Sequence, residues 1–255
     1  MNLLKATELT ISIGSRDICQ NFNFSLQQNE IWGVLGPNGV GKTTLLHTLA
    51  GIHRADFGAI MLQDQTLRSL SAKAIARQTG LLFQSIDTNF PQSIMEYMQA
   101  SRFPHHTYFE KISKDDLTII DAALKHVQLD AHKNRNIQTL SGGETRRLTI
   151  AAILAQTPYI YLLDEPTNHL DMRYQLHILA HFQQLAKINN IGIIMSLHDI
   201  NLAQKFCTHV LLMFADGNMQ QGRVCDILTE ENLSRLYNVN VQAISSRNNI
   251  IWDYR

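Results

Sequence analysis

The octapeptide GPNGVGKT, Gly36 to Thr43, directly follows the apolar run IWGVL and precedes a helical stretch, LLHTLAG. Its pattern, G-x-x-x-x-G-K-T, is that of a phosphate-binding loop. The glycines let the backbone curl until N–H groups and the positive end of the next helix face phosphate oxygens. Lys42 has the reach for β and γ phosphates, and the Thr43 hydroxyl is an oxygen donor for Mg²⁺. A second apolar run, YIYLL, ends in Asp164-Glu165. Two carboxylates at the carboxyl end of a strand sit where ligands bind in open α/β sheets. Asp164 would complete a Mg²⁺ shell and Glu165 would polarise an attacking water. Gln84 follows GLLF and His198 follows IIMSL in the same manner. If these four strands run parallel, Lys42, Gln84, Glu165 and His198 emerge on one edge and converge on one γ-phosphate.

A further stretch, TLSGGETRR, Thr139 to Arg147, offers a hydroxyl and glycine N–H groups at the start of a helix through Ile150 and Ile153. It follows a loop, Lys133 to Thr139, rather than a core strand, and no lysine or carboxylate pair accompanies it. Two readings stand. Ser141-Gly142-Gly143 completes the γ-phosphate site of another copy in a head-to-tail pair, or Ser141 simply caps a helix.

The elements that must hold these residues are legible in the apolar runs. Ile31 to Leu35, Gly80 to Phe83, Tyr159 to Leu163 and Ile193 to Leu197 are continuous rather than alternating, as expected for parallel strands covered on both faces. The stretch from Pro91 to Pro158 has helical spacing and no strand-like run. Within it Asp115-Asp116 is expected to cap a helix whose apolar face is Leu117, Ile120, Leu124 and Val127. Asn2 to Gln28 reads as an antiparallel sheet edge with a turn at residues 14–17. The expected fold is therefore α/β: a P-loop NTPase core with a mostly parallel sheet, an N-terminal antiparallel β edge and an inserted helical subdomain. All 255 residues are expected to form one domain, with residues 1–88 and 159–255 as nucleotide-binding core and 89–158 as a helical subdomain that carries LSGGE.

Composition sets outer bounds. With 45% hydrophobic residues the chain can bury a sizeable core. Lys+Arg and Asp+Glu are equal at 22 each, so no global field favours nucleic acid or an anionic membrane. The start, MNLLKATEL, lacks a secretory n-region followed by an apolar stretch. The longest apolar runs, about five residues, fall far short of the roughly 20 that span a bilayer. Cys19, Cys207 and Cys225 show no metal-binding spacing and read as unreactive thiols of a reducing compartment.

Over essentially its whole length the sequence resembles the ATPase subunits of ATP-binding cassette (ABC) transporters. The resemblance implies ATP and Mg²⁺ as ligands. Residues Gly36, Pro37, Asn38, Gly39, Val40, Gly41, Lys42, Thr43 and Thr44 become the nucleotide loop. Thr43, Gln84 and Asp164 become the metal-facing set, and Glu165, His198 and Gln84 the catalytic one. Leu140 to Glu144 match the signature that contacts the γ-phosphate of the opposite subunit, so Ser141, Gly142, Gly143 and Glu144 would act in trans, with Asp171 in the D-loop. Gln84 matches the Q-loop that meets the membrane permease. NFPQSIMEYMQASRFPH (Asn89 to His105), PTNHLDMRYQLHIL, LHDINLA and ILTEENLSRLYNVNVQAI resemble the importers of iron-siderophores, haem and cobalamin. Expected partners are a permease contacted near Gln84 to His105, a second ATPase subunit and, indirectly, a substrate-binding protein. The expected place is the cytoplasmic face of the inner membrane.

Three positions depart from the family pattern. Ile13 stands where an aromatic ring usually stacks on adenine, Asn29 replaces a glycine, and Thr145 follows the signature in place of a polar amide or Arg. Two rival classes share parts of the pattern. Ribosome-acting soluble ABC ATPases share LSGGE and PTNHLD but resemble two cassettes joined by a charged linker. A small-molecule kinase would leave Ser141 to Glu144 and His198 without a role.

Overall fold

The computed structural model describes residues 1–14, 16–85, 90–107, 110–246 and 249–254. In chain order its elements are β1 (Asn2–Ile13), β2 (Arg16–Gln27), β3 (Ile31–Leu35), α1 (Lys42–Leu49), β4 (Phe57–Leu62), β5 (Gln65–Thr66), α2 (Ala72–Gln78), β6 (Thr79–Leu82), α3 (Ile94–Ala100), α4 (Lys114–His126), α5 (Gly142–Gln156), β7 (Ile160–Leu163), α6 (Met172–Asn189), β8 (Gly192–Ser196), α7 (Ile200–Phe206), β9 (His209–Met213), β10 (Met219–Arg223), α8 (Val224–Ile227), α9 (Glu230–Tyr237), β11 (Val241–Ser246) and β12 (Asn249–Tyr254).

The central sheet has the order β10-β9-β3-β8-β7-β6. Its members β9, β3, β8, β7 and β6 are parallel, and β10 joins β9 antiparallel. The continuous apolar runs follow from burial on both faces. On β3, Ile31 and Leu35 enter one hydrophobic cluster while Trp32 and Val34 enter the other. On β7, Tyr161 and Leu163 face one cluster, and Ile160 and Leu162 the opposite one.

One cluster continues into the helical part through Met98, Leu124, Leu148 and Ile153. The other is closed by the antiparallel sheet β2-β1-β4-β5 and by Leu45, Leu46 and Leu49 of α1. The N-terminal antiparallel edge is thus a whole sheet, whose central partner β4 was missed. Its residues Phe57, Gly58 and Ala59 are exposed, which dilutes the strand pattern.

Local differences have local causes. α4 is capped by Ser113, not by Asp115-Asp116, because Asp116 serves as the third residue of a capping box with Ser113. Leu117 is consequently exposed, and the buried stripe runs through Ile120, Ala123, Leu124 and Val127. Phe83 and Tyr159 lie just outside β6 and β7. The turn at residues 14–17 contains residue 15, outside the described residues. So do the 88/89 boundary between core and helical part and residues 86–89 of the loop after Gln84.

Two of the cysteines, Cys19 and Cys207, are buried and Cys225 is exposed, all three free. Burial pushes the Cys19 thiol up to about 11 and that of Cys207 up to about 12. Neither is a nucleophile at neutral pH.

Candidate functional site

The parallel order carries Lys42, Gln84, Glu165 and His198 to one edge, where they line a single cleft of about 640 Å³ together with Asn38, Gly39, Gly41, Thr43 and Thr44. The loop Gly36 to Gly41 turns where side chains cannot follow. A Cβ at Gly36 would stand 2.5 Å from the Met213 carbonyl oxygen, and one at Gly41, whose φ is 113°, 2.5 Å from Ile18. α1 then starts at Gly41 without a side-chain cap, leaving its first N–H groups to an anion. Lys42 is 5% exposed, and its Nζ donates to the carbonyls of Gly36 (2.7 Å) and Pro37 (3.0 Å). Burial lowers its pKa, against the opposing pull of Glu165 and Asp164.

Thr43 and Asp164 meet across the cleft floor. The Thr43 hydroxyl donates to Asp164 Oδ2 at 2.7 Å, and Asp164 is 1% exposed. Its other oxygen, Oδ1, accepts from the hydroxyl of Ser196 at 2.7 Å, and that hydroxyl accepts the Glu165 N–H at 2.8 Å. The donor set is hydroxyl and carboxylate oxygen, hard ligands of the kind Mg²⁺ takes beside phosphate oxygens.

Glu165 is held on every side. Its φ of 48° is left-handed, uncommon for a residue with a side chain. Its carboxylate receives His198 Nε2 at Oε1 (2.7 Å), and Gln84 Nε2 (3.0 Å) and Asn168 Nδ2 at Oε2. From behind, the buried guanidinium of Arg146 donates to the carbonyls of Phe83 (2.7 Å), Asp164 (2.5 Å) and Glu165 (2.5 Å). Burial lowers the Arg146 pKa to about 10, still far above neutrality.

The glycine-rich helix start lies apart from this cleft. Ser141 caps α5 in a capping box with Glu144, the Ser141 N–H donating to Glu144 Oε2 at 2.8 Å. Those bonds, then the Arg135 guanidinium, bring the Glu144 carboxyl down to about 2. Ser141, Gly143, Glu144 and Asp171 line a second cleft of about 340 Å³ that shares no lining residue with the first. Space beside Gly142 is open.

At the far end of the first cleft are Ile13, Arg16 and Ile18. Ile13 is 52% exposed, and Arg16 donates to the Gly39 carbonyl at 2.7 Å. Asn29 has φ 65°, supplying the left-handed turn that a glycine would. Sequence reasoning passed over Ser196, Asn168 and Arg16, and left Arg146 without a role. Only Ser196, the polar end of an apolar strand, carried a visible cue.

The sequence profile of the family described as ABC transporter matches residues 19–168. The chain is 32% identical over 245 residues to the iron(3+)-hydroxamate import ATP-binding protein FhuC of Bacillus subtilis (strain 168), covering 96% of this chain and 91% of that protein. It is 32% identical to the hemin import ATP-binding protein HmuV of Escherichia coli O157:H7, covering 95% and 94% respectively. Among solved structures it matches an inward-facing metal-chelate type ABC transporter with a TM-score of 0.85 at 28% identity, over 100% of this chain and 97% of that one.

Proposed function

Because this chain belongs to the ABC transporter family, we propose that it is the ATP-hydrolysing subunit of an importer that takes up an iron-siderophore, haem or cobalamin-type metal chelate through a membrane permease. The relatives named above are import ATP-binding proteins over nearly their full length. The ribosome-acting alternative is not favoured. The observation that carries the chemistry is the Glu165 carboxylate, held by His198, Gln84 and Asn168 at the mouth of the phosphate loop.

In the proposed reaction the loop N–H groups and Lys42 hold the β and γ phosphates. Glu165 orients a water in line with the γ-phosphorus and takes its proton as the new P–O bond forms and the β–γ bridging oxygen leaves with ADP. His198 fixes the carboxylate and faces the γ-phosphate. Thr43, Asp164 and Gln84 would hold Mg²⁺, which would neutralise developing phosphate charge. Ser141 to Glu144 and Asp171 serve the ATP of a second copy, since their cleft is separate from the phosphate loop of the same chain. Two chains then enclose two ATP molecules head to tail.

The permease surface includes Gln84 and the segment reaching His105. Phe103 there is 64% exposed on a short 3₁₀ turn, Phe103–His105. Arg77 donates to the Pro104 (2.5 Å) and His105 (3.3 Å) carbonyls, and Lys73 to that of His106, which holds the aromatic ring outward on a fixed base. Among the described residues no helix is long and apolar enough to cross a membrane. On this reading the permease attaches the chain to the cytoplasmic face of the membrane. A tagged pull-down from detergent-solubilised cells should recover a polytopic permease. Recovery of ribosomal proteins without one would overturn the reading. An alanine pair at Phe103 and Pro104 should uncouple transport from hydrolysis, and unchanged transport-coupled ATPase would remove the docking assignment.

A further inference from the structure

β8 contributes Gly192, Ile193, Ile194, Met195 and Ser196 to the centre of the sheet, all buried. Four are apolar or glycine. The fifth places a hydroxyl, 0% exposed, between two carboxylate-bearing residues of the neighbouring strand end. A serine hydroxyl has one proton to give. Ser196 gives it to Asp164 Oδ1 at 2.7 Å and accepts the Glu165 N–H at 2.8 Å.

We propose that Ser196 is a positioning residue that sets both acidic groups of the site, fixing the Asp164 carboxylate so that Oδ2 is presented beside Thr43 and pinning the peptide from which Glu165 projects. The inference rests on the ATPase reading above. With Oδ1 tied to Ser196, rotation of the Asp164 carboxyl is blocked, and only Oδ2 meets the Thr43 hydroxyl. Without the hydroxyl, Oδ1 would be a buried acceptor lacking this donor, and the plane of the carboxyl would be free to turn. On the Glu165 side, the N–H end of a peptide with φ 48° is tied by Ser196 and the C=O end by Arg146. His198, two residues beyond Ser196, meets the same Glu165 at its carboxylate. One strand end thus holds the base at both backbone and side chain.

The test is equilibrium binding of a fluorescent ATP analogue to the full chain, first in EDTA and then with increasing Mg²⁺, for wild type, Ser196→Ala and Ser196→Cys. In EDTA the affinities should agree, because the phosphate loop is untouched. The Mg²⁺ half-saturation should rise roughly 10- to 100-fold in both variants, the cost of losing a group that orients a metal ligand. Cysteine restores the volume but not a strong donor, so it separates hydrogen bonding from packing. Unchanged Mg²⁺ half-saturation in both variants would overturn the proposal. So would a defect in Ser196→Ala that Ser196→Cys repairs, or loss of nucleotide binding by both in EDTA, which would make the hydroxyl a support of the fold. A wild-type chain that binds no nucleotide would overturn the ATPase reading itself, and this inference with it.

Discussion

His198 Nε2 stands 2.7 Å from Glu165 Oε1, across residues that lie on two adjacent parallel strand ends. The imidazole meets the oxygen opposite the one that receives Gln84 and Asn168, so the carboxylate is fixed in plane and direction. If this carboxylate is the base proposed above, its role should be separable from nucleotide binding. Glu165→Gln is expected to lower hydrolysis by roughly 10²- to 10⁴-fold while retaining MgATP, and to accumulate as an ATP-bound dimer on gel filtration. A variant that stays monomeric at saturating MgATP would count against the two-chain sandwich.

Lys42→Ala should abolish ATPase activity and weaken nucleotide binding, as measured by phosphate release and by fluorescent-analogue titration. The ammonium is buried within its own loop, and among the described residues the one other Lys or Arg lining the cleft is Arg16, at its far end. Substantial residual turnover would show that the phosphates lie elsewhere.

Arg146→Met should destabilise the fold as well as slow hydrolysis. It orphans the carbonyls of Phe83, Asp164 and Glu165 together. With each buried unpaired group costing about 1–3 kcal/mol and some rehydration allowed for, a loss of about 3 kcal/mol and a Tm lower by about 6–12 °C follow. Arg146→Lys should recover little, because an ammonium cannot reproduce a planar fork. A thermal melt matching wild type would refute the clamp.

Ile13→Tyr should tighten ATP binding by about tenfold, since an added ring at the cleft's far end can stack on a base for about 1–3 kcal/mol. Ile13 is half exposed beside Arg16 and Ile18, with room for the larger side chain. Equal affinity of the two proteins for ATP, by fluorescence titration, would place the base away from Ile13.

Stability should fall in mild acid through a histidine cluster joining α4 to α6. His126 and His181 have ring centroids 3.6 Å apart, and His126 and His177 4.8 Å. Burial, reinforced by the other two rings, lowers His181 from 6.5 to about 4. A depressed histidine pKa means that the fold holds the neutral form. Its contribution is complete above pH 6.5 and is lost as pH falls toward 4. The drop in Tm between neutral pH and pH 5 should therefore be smaller in His181→Gln than in wild type, and an equal drop would dismiss the cluster as its source.

What could be read from the sequence was what is contiguous. The phosphate loop is one uninterrupted octapeptide, and the strand ends bearing Gln84, Glu165 and His198 announce themselves because burial on both faces leaves unbroken apolar runs. Two further partners of Glu165 were hidden for the opposite reason. Ser196 and Arg146 reach it across 31 and 19 residues; the polar end of β8 marks Ser196, but its pairing with Glu165, like that of Arg146, depends on packing that no local pattern records. β9 did leave a trace, the run Val210 to Phe214, whereas its edge partner β10, MQQGR, has no hydrophobic period. The Ser113 cap was overlooked because two carboxylates beside it offered a plausible substitute.

α5 begins at the Ser141 cap, and Arg146, on its second turn, grips the carbonyls of Asp164 and Glu165. A hydrogen-bonded helix does not stretch between those points. If another chain's nucleotide pulls on the Ser141 end, as in the proposed pair, the pull would reach the Glu165 peptide of its own chain through Arg146. In the proposed head-to-tail pair the helix would act as a mechanical crank between two active centres, timing each molecule's hydrolytic step by the occupancy of its neighbour.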